Sequence, residues 1–323
     1  MSCNHPLHAF VTGSKTDLGK PDYFVQSGEG DIVEVSKAEK AGHHVVPGPH
    51  VRGYDGKAYL VEYVPIPCGH CIGCRMDRAK DWRVRVALEK RYSEFRFSWF
   101  ITLTYDDEHC PKNLVKKDIQ DFIRSFRRNI GPCRYFGSGE YGEIGLRPHF
   151  HLILFTDFDS DFTVFGRNHF RSAAIEKCWE NKGFVDICSA DAGLIAYCAG
   201  YVEKKQDDRN FYKYQVKPFL VMSRRPGIGS KALEHLDAVL STYKVYGDFG
   251  KCHYSRIPRS MLKKLEVLFP EWMEAYRETK IKYSEDKQLV DIVNYQVFDR
   301  EVLGSMKDKI QKDSLKEKRR LKL

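Results

Sequence analysis

Gly139–Phe155, GEYGEIGLRPHFHLILF, decides how the rest of this chain is read. His149 and His151 flank one bulky apolar residue and lead into an apolar run. Side chains alternate along a strand, so the two histidines share one face while Phe150, Leu152 and Leu154 fill the other. On a rigid strand the two imidazoles stand about 7 Å apart, close enough to grip one metal ion. Arg147-Pro148 precedes the pair, and proline suits a central ladder poorly, so the histidines are expected at a strand entrance that solvent and substrate can reach. Carboxylates lie just upstream at Glu140 and Glu143. The run CRYFGSG, residues 133–139, reads as a strand joined to the histidine strand by a short connection, a hairpin that brings one acid beside the imidazoles. A purely structural histidine pair is the plain alternative.

A second stretch, AGLIAYCAGYVEKK at 192–205, has helical spacing, with Ser189 or Asp191 as cap. Tyr197 and Tyr201, four apart, share a helix face, so both phenols can visit one site in turn. The alternative is a core stripe of these tyrosines with Leu194 and Val202. Gly200 costs a mid-helix position roughly 1 kcal/mol against alanine, which suggests that a backbone passes close there.

Three motifs then stand in order: FITLTYDD at 100–107, RPHFHLILF at 147–155 and YCAGYVEKK at 197–205. Together they resemble the replication initiators of the microviruses, most closely the gokushovirus branch, within the HUH endonuclease superfamily. The resemblance spans roughly residues 68–230, with MSRRPGIG at 222–229 as a further family-like segment. The paired tyrosines are similar to the two-tyrosine type. The resemblance implies an α+β fold, a central antiparallel sheet with flanking helices related in outline to the RNA-recognition fold, with N- and C-terminal appendages. It implies a Mg2+ or Mn2+ ion held by His149, His151 and Glu140, with Glu143 as the other candidate acid. Tyr197 or Tyr201 would attack a phosphate of single-stranded DNA at the viral origin, leaving a 5′-phosphotyrosine and a 3′-hydroxyl primer for rolling-circle synthesis. Lys204, or Lys205, would stabilise the attacking phenolate. A host helicase and polymerase are the implied partners, and the cytoplasm of a bacterial host the implied location. A relaxase or transposase of the same class is an alternative. So is a noncatalytic module in which the tyrosines stack on bases.

Composition agrees. The 323 residues carry 53 Lys and Arg against 44 Asp and Glu, a formal charge of +9 that favours a polyanionic partner. Cations concentrate at 75–91, at Arg124, Arg127 and Arg128, and in the tail KDKIQKDSLKEKRRLKL. No stretch reads as a signal peptide or membrane span, so the ten cysteines are expected reduced. Cys68, Cys71 and Cys74 form a C-x-x-C-x-x-C run that offers three thiolates to a structural Zn2+, with Cys3, His5 or His70 as fourth ligand. An iron–sulfur cluster is disfavoured because no fourth cysteine follows Cys74 in the run.

Three regions are expected: 1–95 with an irregular arm, the cysteines and a basic helix burying Trp82 and Val86; a core at 96–206; and a mixed region at 207–323. Within the core, Phe97–Tyr105 reads as a central strand, with Ile101 and Leu103 opposite Thr102 and Thr104. An amphipathic helix at 118–129 buries Ile119, Phe122, Ile123 and Phe126. A helix at 172–181 stops at Gly183, and FVDICS forms a strand. Asp106 and Asp107 are read as a turn. Helical runs are expected at 232–243 and 260–276.

Overall fold

Short strands with little periodicity build the first part of the chain. In the computed structural model, which describes residues 3–278 apart from 18, 27–30, 47, 49, 143–144, 205–215, 236–243 and 247–253, the described residues form two compact units, 3–75 and 76–278. The first unit holds β1 (Leu7–Lys15), β2 (Pro21–Gln26), β3 (Val33–Glu34), α1 (Val35–Lys40), β4 (His50–Arg52), β5 (Ala58–Leu60) and β6 (Tyr63–Ile66). They pair as two antiparallel sheets, β2-β1-β6 and β3-β5-β4. Phe10, Val33, Ala38 and Leu60 form their small core. The irregular arm expected here is therefore corrected to two small sheets. Strands of two to four residues, as β3 to β6 are, are too short for an alternation to show.

Helix α2 (Ile72–Tyr92) begins among the cysteines, and from Met76 onward it belongs to the second unit. There Val86 is fully buried against Phe100 and Phe136, and Trp82 packs on Phe136 with ring centroids 5.1 Å apart. Val84 and Leu88 face a different cluster.

The second unit continues with β7 (Phe97–Tyr105), α3 (Lys116–Asn129), β8 (Arg134–Tyr141), β9 (Pro148–Thr156), β10 (Thr163–Gly166), β11 (His169–Arg171), α4 (Ala173–Cys178), β12 (Gly183–Ser189), α5 (Ala192–Lys204) and β13 (Phe219–Met222). One antiparallel sheet orders them β10-β11-β12-β7-β9-β8-β13. Its inner four strands with α3 and α4 follow the β-α-β-β-α-β path, with strand order 4-1-3-2, of the expected α+β core. The strands at its edges were not legible: the β10–β11 hairpin at one side, and β13, which pairs with β8 at the other and lies beyond residue 206.

Each sheet face has its own core. Ile101, Leu103, Phe150, Leu152 and Leu154 face α3 and α4, whose Ile119, Phe122, Ile123, Phe126 and Ile175 are buried against them. Each such aliphatic or phenyl side chain contributes roughly 1.5–3 kcal/mol by leaving water. Phe100, Phe136, Ile153 and Phe155 face the other way, toward α2 and α5. Helix α4 is capped by Ser172, whose hydroxyl accepts from the Ile175 N–H, and it ends earlier than expected because Glu180 and Asn181 turn left-handed. Gly183, at φ +148°, has no room for a side chain: a Cβ would meet the Thr104 carbonyl at 2.2 Å.

After β13 come β14 (Lys244–Tyr246), β15 (Tyr254–Arg256), α6 (Arg259–Leu268) and a helix at 270–278. Met261, Leu265, Met273 and Tyr276 from these helices cover Val84 and Leu88 of α2. A 3-10 turn at Ser230–Glu234 opens the expected 232–243 run, most of which lies outside the described residues, as does the basic tail. No helix among the described residues is long and apolar enough to cross a membrane.

Candidate active site

The register of three strands assembles the polar cluster. His149 on β9 pairs with Glu140 of β8 on one side and Thr104 of β7 on the other; His151 pairs with Ser138 and Thr102. Paired residues in an antiparallel ladder point to the same face, so all six stand together, opposite the Leu152 core. Pro148 opens β9, where the missing N–H costs the ladder least, as its place before the histidines suggested.

One carboxylate oxygen ties the pair together. Glu140 Oε1 lies 3.0 Å from His149 Nε2 and 2.9 Å from His151 Nε2. The ring centroids are 4.9 Å apart, closer than extended-strand spacing suggests, because both rings lean toward the shared acid. Glu140 and His151 are buried, only 6% and 8% exposed. The outer ring nitrogens are also held: His149 Nδ1 is 3.1 Å from the Arg147 carbonyl, and His151 Nδ1 is 3.1 Å from Thr102 Oγ1. A carbonyl only accepts, so His149 carries its proton on Nδ1 and turns the lone pair of Nε2 toward Glu140. Ser138 Oγ, opposite His151, is buried without a hydrogen-bond partner among the described residues. Glu143 lies outside the described residues.

Helix α5 brings a tyrosine to the cluster. Asp191 caps it, its Oδ1 accepting from the Leu194 N–H at 2.7 Å. Ile195, Cys198 and Ala199 are buried on the face toward the sheet, where Phe100 and Ile153 lie. Burial, then the nearby Glu140 charge, push the Cys198 thiol up and keep it protonated. Tyr197 is 48% exposed, so it is not a core residue; its ring stands edge-on 5.4 Å from the His151 ring and 6.2 Å from Phe100. Position 201 follows one turn later in α5, but the side chains of Tyr201 and Lys204 lie outside the described residues, as does Lys205. A Cβ at Gly200 would meet nothing within 4 Å, so packing among the described residues does not demand glycine there.

The aspartates after β7 form a turn. Asp106 accepts from the His109 N–H at 2.8 Å, while Asp107 pairs with Arg147, whose Nη1 also donates to the Tyr105 carbonyl at 2.8 Å. These bonds hold the entrance of β9 against the end of β7.

In the first unit, Cys3, Cys68, Cys71 and Cys74 gather so that all four Sγ atoms lie within 4.8 Å of one another. Two of the separations, Cys3–Cys71 at 3.8 Å and Cys68–Cys74 at 3.9 Å, match the about 3.8 Å edge of a tetrahedron with Zn–S bonds of about 2.3 Å. Backbone N–H groups of Asn4 and Cys68 donate to the Cys71 and Cys3 sulfurs at 3.3 Å. Burial raises the Cys3 thiol to about 11, whereas at Cys71 burial is outweighed by N–H donors and neighbouring thiols, which hold it down to about 7. Of the three candidates for fourth ligand, Cys3 is the one the fold delivers. The ground for disfavouring an iron–sulfur cluster is thereby corrected: the fourth cysteine exists, 65 residues before the run, invisible to local spacing.

Several participants do not stand out in the sequence as site residues. Thr102 and Thr104 read as ordinary strand residues, and Ser138 carries no signal of its own. Alternation alone could have found them, since each shares a strand face with a histidine or with Glu140. The MSRRPGIG segment forms a basic cavity of about 380 Å³, lined by Arg224 and Arg225 together with Arg85 and Lys264. Arg85 stacks 3.9 Å above the Trp82 ring and donates to the Ile228 carbonyl. Beneath the segment a buried ion pair, Arg134–Glu89, anchors it: Arg134 donates to the Pro226 carbonyl and Glu89 accepts from the Gly229 N–H.

The family model described as Replication-associated protein ORF2 matches residues 98–206. The chain is 30% identical over 295 residues to Replication-associated protein ORF2 of Spiroplasma virus 4, covering 85% of this chain and 88% of that one. It is 28% identical to Replication-associated protein VP4 of Bdellovibrio phage phiMH2K, over 71% of this chain and 79% of the relative. A shorter match, 31% identical over 44% of this chain and 38% of the relative, is to Replication-associated protein ORF4 of Chlamydia phage 1. No solved structure matches.

Proposed function

The chain belongs to the replication-associated proteins of the microviruses, and on that premise we propose that it initiates rolling-circle replication as an HUH-type endonuclease, nicking and rejoining single-stranded DNA at the viral origin. The observation that carries this reading is the convergence of Glu140 on both histidines with a half-exposed tyrosine ring 5.4 Å from His151. The donor set fits a divalent ion: two imidazole nitrogens whose opposite nitrogens are hydrogen-bonded, and one carboxylate oxygen. Two imidazoles favour Mn2+, since Mg2+ prefers oxygen ligands. When bound, the ion supplies a Lewis acid that polarises the scissile phosphate and stabilises its developing charge.

The chain's own residues supply the rest. Helix α5, seated on Phe100 through Ile195 and Cys198, holds Tyr197 at the mouth of the cluster, where a DNA strand can reach it. The phenolate oxygen of Tyr197 or Tyr201 forms a bond to phosphorus as the bond to the 3′ oxygen breaks. The 5′ phosphate stays on tyrosine, and the departing 3′ oxygen takes up a proton to become the hydroxyl that primes synthesis. The covalent link conserves the phosphodiester energy, so rejoining is the same step reversed with a new 3′-hydroxyl. Two tyrosines one helical turn apart suit alternating attack. Lys204 is the proposed cation for the phenolate. Arg224 and Arg225, exposed beside Arg85 and Lys264, offer phosphate contacts along the strand. A host helicase and polymerase would extend the primer in the bacterial cytoplasm, and the cysteine cluster would hold a structural Zn2+.

The test incubates the full chain with Mn2+ and labelled single-stranded oligonucleotides spanning its own phage genome. A covalent adduct on a denaturing gel, lost in His149→Ala and in the double variant Tyr197→Phe with Tyr201→Phe, is expected. Binding without an adduct on any oligonucleotide would sink the endonuclease and leave a strand-binding module.

A further inference from the structure

The β10–β11 edge of the large sheet carries a third cluster of ligand-type side chains. His169 on β11 pairs directly with Cys188 on β12, and Asp186 lies two residues before Cys188 on the same face of β12. Taking one carboxylate oxygen, the three donor atoms form a closed triangle: His169 Nδ1 to Asp186 Oδ2 is 3.1 Å, Cys188 Sγ to His169 Nδ1 is 3.3 Å, and Cys188 Sγ to Asp186 Oδ2 is 3.6 Å. A tetrahedral ion with bonds of about 2.0 Å to nitrogen and oxygen and 2.3 Å to sulfur separates its donors by about 3.3–3.6 Å. The triangle is therefore close to one face of such a tetrahedron, already assembled by strand register.

We infer that His169, Asp186 and Cys188 form a second metal site of the sheet, suited to a zinc-type divalent cation. One thiolate, one imidazole and one carboxylate are borderline donors that zinc accepts and that Mg2+ does not seek. Cys188 is buried at 9% exposure, whereas the side chains of His169 and Asp186 are 48% and 43% exposed. The sulfur thus anchors the ion from below, and the fourth position opens to solvent, available to a water or an oxyanion. Three protein ligands with one open position is the arrangement of a site that exchanges a ligand, in contrast to the four closed thiolates of the cysteine cluster.

The site is separate from the Glu140 cluster. Asp186 pairs with Thr102, which pairs in turn with His151, so two strand spacings, roughly 10 Å, lie between them on one face. Paired catalytic ions stand about 3.5–4 Å apart, so this is not the second ion of a two-metal centre. The inference does not depend on the nicking chemistry.

Zinc content per chain decides it, measured on the full-length protein after loading and removal of weakly held metal. His169→Ala and Cys188→Ser should each hold one zinc fewer than the parent. The thiolate-to-cobalt absorption of the cysteine cluster in the Co2+-loaded protein should persist in both. Should Cys188→Ser fold poorly by circular dichroism, the exposed His169→Ala carries the test. Equal zinc content in a folded variant and the parent would overturn the site and leave a hydrogen-bonded trio. The adduct assay of the endonuclease reads out separately, so either idea can fail alone.

Discussion

At Glu140 one carboxylate oxygen meets two imidazole nitrogens, and the groups behind those imidazoles determine how well they can ligate. Thr102 Oγ1 is the partner of His151 Nδ1, fixing the ring's orientation. Thr102→Val, similar in volume but without the hydroxyl, should lower Mn2+ affinity about 10–100-fold, read by titrating adduct yield against Mn2+. An unchanged titration would show that the strand alone holds the ring. The two histidines and their common face were legible at this scale because alternation is local. Which acid joins them was not, since that depends on the residue the β8–β9 register sets opposite His149. Glu140 holds that position, while Glu143 lies outside the described residues.

Among elements, α5 shows how a helix can be read correctly in span while its faces stay open. Its 192–204 span and Asp191 cap follow from spacing. Whether Tyr197 is core or surface depends on the helix's rotation over the sheet, which the buried Ile195, Cys198 and Ala199 set. The MSRRPGIG segment is visible in the sequence only as a resemblance; its anchor, Glu89, belongs to α2, 140 residues away from Gly229. Glu89 is 1% exposed and pairs with Arg134, also buried. Glu89→Ala leaves Arg134 charged and unpaired in the interior, and should cost about 3–5 kcal/mol in urea unfolding. A loss under about 1 kcal/mol would mean that Arg134 finds water. Arg224 and Arg225 should lose their positions in the same variant, since Pro226 and Gly229 are both tied to this pair.

For the whole molecule, the division into units at 3–75 and 76–278 differs from the boundary expected at residue 95. The reason is α2, whose Val84, Val86 and Leu88 are buried in the second unit's cores. Among the described residues the first unit's buried cluster is Phe10, Val33, Ala38 and Leu60, too little apolar burial to hold a domain of this size comfortably. A structural ion at Cys3, Cys68, Cys71 and Cys74 would offset that, because metal binding free energy is folding free energy. Stripping zinc with a strong chelator should therefore expose residues 3–75 to protease first, while fragments beginning beyond Met76 persist. Unchanged digestion after zinc loss would remove the structural role from the cluster.

Strand and helix periodicity, being properties of neighbouring residues, were enough to place β7, α3, β8, β9, β12 and α5 and to predict an antiparallel α+β core. The same local patterns put two histidines on one face and two tyrosines one turn apart. What they could not reach were pairings between distant segments: Cys3 with Cys68, Cys71 and Cys74, β13 with β8, Glu89 with Gly229, and His169 with Cys188. Each of these depends on chain closure, which no local period encodes, and it is closure that turns single polar residues into sites.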